Sequence, residues 1–261
     1  VPEPVNRTIL LFDIEKFGRR DDVQQAFMRR KLHTIVEQSL TAAGANPHAQ
    51  HREDRGDAVM VLVTPDISKV SLLRVLLKET DDLLRSDNRL TADSAQVRLR
   101  VVLAAGEVAL DPQPGTLGGA VGHDLNQAFR LLDAEELKTA LKRNDRPTAV
   151  CVSASVHQSV VRHGYAGVNP EEFREITVQG KEGPLTAWLH SVNEPPSLGA
   201  STAAVPPPGT AAPSRAPIRA PGTPRGAFVG GNLVMGNQYG VTGGQVSGDV
   251  VMGSKNEGDP R

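Results

Sequence analysis

From the N-terminus to about Trp188, short runs rich in β-branched residues alternate with longer amphipathic stretches. This alternation restricts the chain to an α/β or α+β architecture. The pattern predicts strands over Thr8–Asp13, Ala49–Glu53, Ala58–Val63, Arg98–Val108, Ala149–Val152, Phe173–Val178 and Leu185–His190. Helices fill the gaps. Asp21–Ala43 carries apolar residues at Val23, Phe27, Leu32, Ile35, Val36 and Leu40, with Gly44 to end it. Similar spacing runs through Ser68–Leu84, His123–Leu141 and Ala154–Val161. Strand, helix, hairpin, helix and strand is the order of a ferredoxin-like βαββαβ core. The expected fold is therefore α+β, with further strands and a helix added C-terminally.

The composition then changes abruptly. Glu194 to Arg225 is dominated by Pro, Ala, Gly and Ser, too little apolar surface to offset the entropy of ordering. We divide the chain into a domain over 1–192, a disordered linker over 193–226 and a Gly/Asn-rich tail over 227–261. In the tail, Gly231–Gly236 (GNLVMG) is echoed by Gly248–Gly253 (GDVVMG). Apolar triplets between Gly and Asn can stack as identical strands, so residues 228–256 are a candidate self-association motif. A disordered, adhesive C-terminus is the competing reading.

Charge narrows the partners. Lys plus Arg number 29 against 30 Asp plus Glu, for a net charge of −1, so no basic field favours nucleic acid. The single cysteine, Cys151, rules out an internal disulfide framework and reads as a buried small hydrophobe. The 7 histidines form no ligand-spaced cluster, so no zinc site is expected. No stretch approaches the roughly 20 apolar residues of a membrane span. A cytoplasmic protein is the expectation.

Two carboxylates stand out. The run ILLFDIEKF is apolar up to Asp13, the first charge as the chain leaves the sheet. In DRGDAVMVLV, a tight turn at Arg55-Gly56 puts Asp57 at the head of another apolar strand. Were these strands neighbours, two facing carboxylates would need a cation or a proton between them. Magnesium suits such a pair when phosphate oxygens complete its shell. An Asp at a strand end also serves as turn former or helix N-cap, and spacing alone leaves both roles open.

Taken in order, the motifs resemble the catalytic domain of class III nucleotidyl cyclases. The Phe12-Asp13-Ile14 strand with Phe17, the Gly56-Asp57 hairpin, Arg100 with Gly106, and the helix GHDLNQAFRLL with Gly122, Asn126, Ala128 and Arg130 follow the family's sequence of elements. AVCVSASVHQSV and VQGKEGPLTAWL resemble its later strand and closing hairpin. The likeness spans Arg7 to Leu189.

The resemblance implies two Mg²⁺ (or Mn²⁺) ions per site, held by Asp13, Asp57 and the Ile14 carbonyl. It implies Arg100 and Lys181 on the triphosphate, and catalytic Asn126 and Arg130. It also implies a head-to-tail homodimer, because the metal pair and the Asn/Arg pair of one site come from opposite subunits in the family. The product is a 3′,5′-cyclic nucleotide and pyrophosphate. Two positions select the base: Glu53, which accompanies guanine, and Gly119, which offers no side chain, so GTP is slightly favoured over ATP. Gly18, Val102 and Ala104 depart from the family's usual residues. The alternative reading is a catalytically quiet domain that binds nucleotide and acts as an adaptor through its tail. That tail resembles the homotypic motifs with which bacterial signalling proteins recruit partners.

Overall fold

The computed structural model describes residues 2–110, 119–180 and 182–191. The expected linker (193–226), the tail motif (228–256) and Lys181 lie outside the described residues.

The apolar run after Arg7 makes β1 (Val5–Ile14) the central strand, buried from Thr8 to Ile14. It pairs antiparallel with β3 (Ala58–Val63) on one side and β4 (Leu99–Leu110) on the other. β2 (Gln50–Asp54) lies outside β3, which gives the order β2-β3-β1-β4 expected of a βαββαβ core. β6 (Thr148–Ser153) runs parallel to β4, and β8 (Leu185–His190) and β7 (Phe173–Val178) extend the sheet beyond it. A two-residue strand absent from the sequence reading, β5 (Ala120–Val121), pairs with the far end of β4.

Alternation along β1 sends successive side chains to opposite faces, and both faces are covered. Leu10, Phe12 and Ile14 pack with Met28, Leu32, Ile35 and Val36 of α1 (Asp22–Ala42). Ile9 and Leu11 pack with Leu125, Ala128 and Leu131 of α4 (His123–Leu132) and with Leu137 and Leu141 of α5 (Glu135–Arg143). The Asp21 carboxylate caps α1 by accepting from the Gln24 N–H at 2.8 Å. Val23 and Phe27, assigned to the apolar face of α1 from spacing, are exposed. Met28 takes the core position, and the Phe27 ring instead lies 5.2 Å from the Lys31 ammonium.

The helical stretch from Ser68 is interrupted. It comprises α2 (Lys69–Arg74), a π-helical turn over Val75–Glu79 that buries Val75, Leu76 and Leu77, and α3 (Thr80–Arg89). α3 is fastened through Asp81, which is 1% exposed. Its carboxylate accepts from Thr148 Oγ1 at 2.7 Å, Arg85 Nε at 2.7 Å and Arg146 Nε at 3.3 Å.

The expected single helix His123–Leu141 is two helices, parted at Asp133 and Ala134. The Leu132 carbonyl, which a continuous helix would offer to the N–H four residues on, accepts from Arg100 Nη1 at 3.3 Å. α6 (Ala154–Ser159) follows β6 directly, with Ser153 as its cap. Cys151 is fully buried on β6, and burial pushes its thiol up to about 12. No helix among the described residues is long and apolar enough to cross a membrane.

Candidate active site

Strand register puts the candidate residues on one face of the sheet. Asp13 shares the odd-numbered side of β1 with Ile9 and Leu11, so it points toward α4 and α5. Opposite it on β4 is Arg100, in step with Val102 and Ala104, which pack in the same layer. On the other flank Asp13 faces Ala58, one residue after Asp57. Glu53 on β2 pairs with Met60, another member of that layer.

Asp13, Asp57 and Arg100 form one cluster. Asp13 is 7% exposed, and its Oδ2 accepts a hydrogen bond from Arg100 Nη2. The Asp57 carbonyl accepts from the Ile14 N–H at 3.0 Å, which holds the hairpin end against the end of β1. Burial raises the Asp13 carboxyl to about 6; Arg100 pulls it down, while the charges of Asp57 and Asp133 push it up again. Burial therefore disfavours the ionised form of Asp13 even with Arg100 bonded to it. Arg100 Nε is also buried without a hydrogen-bond partner among the described residues. A buried carboxylate with a second one beside it, next to an arginine with an unused donor, fits a divalent ion and an oxyanion together. Among the described residues no group of three or more His, Cys, Asp or Glu is placed to hold a metal. An ion here would need oxygens from a ligand to fill its shell.

Asn126 and Arg130 lie one turn apart on α4 and line a second cavity with Phe129 and Gly180. Arg130 Nη2 donates to the Gly183 carbonyl at 2.6 Å, and Nη1 reaches Glu182 at 3.4 Å. Gly180 is required for this placement, because a Cβ there would meet Arg130 Nη2 at 2.6 Å. Two other glycines set α4 tight on β4. A side chain on Gly106 would collide with Asp124, whose carboxylate accepts from the Glu107 N–H, and one on Gly122 would meet the Glu107 carbonyl at 2.6 Å. The Asn126/Arg130 cavity and the one beside Arg100 are separate in a single chain.

The two positions expected to select the base lie close together. Glu53 is 7% exposed, and its carboxylate accepts from Arg55 at 2.9 Å, from the His51 ring at 3.1 Å and from the backbone N–H of Ala120, next to Gly119. Burial works to raise its carboxyl, but these donors outweigh burial and hold it below the usual range. The Arg55 guanidinium lies 4.9 Å from the centre of the Phe129 ring. Sequence reasoning missed Arg55, His51, Phe129 and Asp133. The only trace of the first two was the charge density of HREDRGD.

No protein-family model matches the sequence, and no curated protein matches it. Solved structures do match the fold. The guanylyl cyclase Cya2 aligns over 74% of this chain and 96% of its own, at 16% identity and a TM-score of 0.51. An adenylate/guanylate cyclase/hydrolase from Silicibacter pomeroyi aligns over 74% and 99%, at 19% identity and a TM-score of 0.50. A bacterial light-regulated adenylyl cyclase aligns over 72% of this chain and 52% of its own, at 15% identity and a TM-score of 0.53. The chain has the fold of class III adenylyl and guanylyl cyclase catalytic domains.

Proposed function

We propose that this chain is a nucleotidyl cyclase that converts a nucleoside triphosphate to a 3′,5′-cyclic nucleotide and pyrophosphate. The observation that carries the reading is the buried Asp13 beside Asp57, at neighbouring strand ends of a cyclase fold. Asp13, Asp57 and the Ile14 carbonyl hold two Mg²⁺ or Mn²⁺ ions per site. When bound, the ions supply positive charge at the phosphates and make the ribose 3′-hydroxyl a better nucleophile.

Arg100 exchanges Asp13 for phosphate oxygens as the nucleotide enters, and Lys181 adds a second charge to the outer phosphates. Asn126 orients the ribose so that its 3′-oxygen faces the α-phosphorus. Arg130 meets the charge that grows on the phosphoryl oxygens as the bond to pyrophosphate breaks. In the family that this chain resembles, the metal pair and the Asn/Arg pair of one site come from opposite subunits, so we assign each complete site to two chains in a homodimer.

Glu53 supports GTP ahead of ATP. Its own-chain donors keep it ionised, and a carboxylate has about four acceptor sites, so it retains capacity for the guanine N1–H and N2–H₂ edge. Triphosphate chemistry and a lone reduced cysteine suit the cytoplasm and a signalling role. A second reading, a quiet nucleotide-binding adaptor, draws on the Arg100–Asp13 bond, which occupies the carboxylate that the ions need.

The test is turnover of each of the four ribonucleoside triphosphates with Mg²⁺ or Mn²⁺ by wild type and Asp57→Ala, with products identified by mass spectrometry. A cyclic product from wild type that disappears in the variant is expected. A dimeric wild type that yields none overturns the reading in favour of the adaptor.

A further inference from the structure

Arg100 also lines a cavity of about 170 Å³. Lys16 and Arg19 from the turn after β1, Lys138 and Lys142 from α5, and Arg100 itself converge on it, against a single carboxylate, Glu15. A chain with net charge −1 thus gathers five cations around one small cavity. Lys16 is paired with Glu15 at 3.8 Å, Lys138 with Glu135 at 3.0 Å and Arg100 with Asp13, yet Arg19 and Lys142 remain as a surplus that attracts an anion.

Three features argue for a site rather than a solvated surface. Lys138 and Lys142 are four residues apart on α5, so both ammonium groups rise from one face of the helix toward the cavity. Arg19 and Lys142 have no ion-pair partner within 4.0 Å among the described residues, and Lys138 is held only by Glu135 on the rim, at 3.0 Å. Lys16 adopts φ 58°, the only positive φ at a non-glycine position among the described residues. A side chain is kept in that costly conformation where glycine would be relaxed. Arg100 is the wall shared with Asp13, so the cavity adjoins the two carboxylates.

We propose that Lys138 and Lys142, with Arg19 and Lys16, form a subsite for the terminal phosphates of the nucleotide and for the pyrophosphate left behind. The assignment rests on the cyclase reading above and extends it to α5. The two lysines act as positioning residues, neutralising the outer phosphates so that Arg100 can leave Asp13.

The experiment is calorimetric titration of the full chain with inorganic tripolyphosphate, for wild type and for Lys138→Gln/Lys142→Gln, at two salt concentrations. Both lysines are on the surface side of α5, and matched thermal melts verify folding. Wild type is expected to bind, and the double variant to bind at least ~10-fold more weakly with a shallower salt dependence. In turnover, its KM for the nucleotide rises by more than its kcat falls. Equal tripolyphosphate affinity in the two proteins, or no binding by wild type, overturns the subsite. Tripolyphosphate binding that the variant loses, without any cyclic product from wild type, supports the subsite and rejects the cyclase reading alone.

Discussion

At the candidate site, Asp13 is a carboxylate whose ionised form burial disfavours. Its carboxyl titrates at about 6 in the folded chain, above its ordinary value, so the folded state holds the proton longer than the unfolded one. The stability linked to that proton is present in acid and lost as the pH rises through about 6. Ionised Asp13 then weakens the fold by on the order of 2 to 3 kcal/mol. A divalent ion bound there would relieve this penalty. Magnesium is therefore expected to raise the Tm of wild type clearly at pH 8 and much less at pH 5, with no response from Asp13→Asn/Asp57→Asn at either pH. Melting curves with and without the ion decide the matter, and a response identical at both pH values would count against Asp13 as its ligand.

At the scale of elements, the frame was readable wherever a strand is short, β-branched and bounded by turn residues. β3 and the closing pair β7 and β8 lie where the sequence placed them, and β1, β2, β4 and β6 differ by a few residues at their ends. What could not be read depends on contacts distant in sequence. LLDAEELK keeps helical spacing without Gly or Pro, yet α4 ends at Leu132, whose carbonyl accepts from Arg100 instead of from a later helical N–H. The partners inside the site were hidden for the same reason. That Asp13 meets Arg100, and that the Ala120 N–H reaches Glu53, depends on register and loop return rather than on local pattern. Asp81 is a third case: it reads as one more charge on an exposed helix but fastens α3 to β6 through Thr148. Asp81→Ala removes the acceptor for Thr148, Arg85 and Arg146 at a buried position. The expected cost is about 3 kcal/mol in denaturant titration, whereas a loss of a few tenths would show the network to be ornamental.

At the scale of the whole molecule, the sheet among the described residues ends in β2 and β7, and both edge strands carry charge. β2 carries His51, Arg52, Glu53 and Asp54, and β7 carries Arg174 and Glu175. Such edges resist the addition of further strands, so pairing of domains should proceed through other faces. The composite sites proposed above would make that pairing measurable. Asp57→Ala and Asn126→Ala should each be inactive alone. Mixed and allowed to exchange, they should recover up to about a quarter of wild-type activity, since half the dimers are hybrids and each hybrid restores one of its two sites. No recovery in verified hybrids would place each site within one chain. The buried Cys151 makes the geometry of such hybrids accessible. Its thiol is sealed in the core and stays protonated, so maleimide reagents leave the native protein unlabelled. A cysteine introduced on the surface would then be the sole reactive handle, and distances between subunits can be read without background from the chain itself.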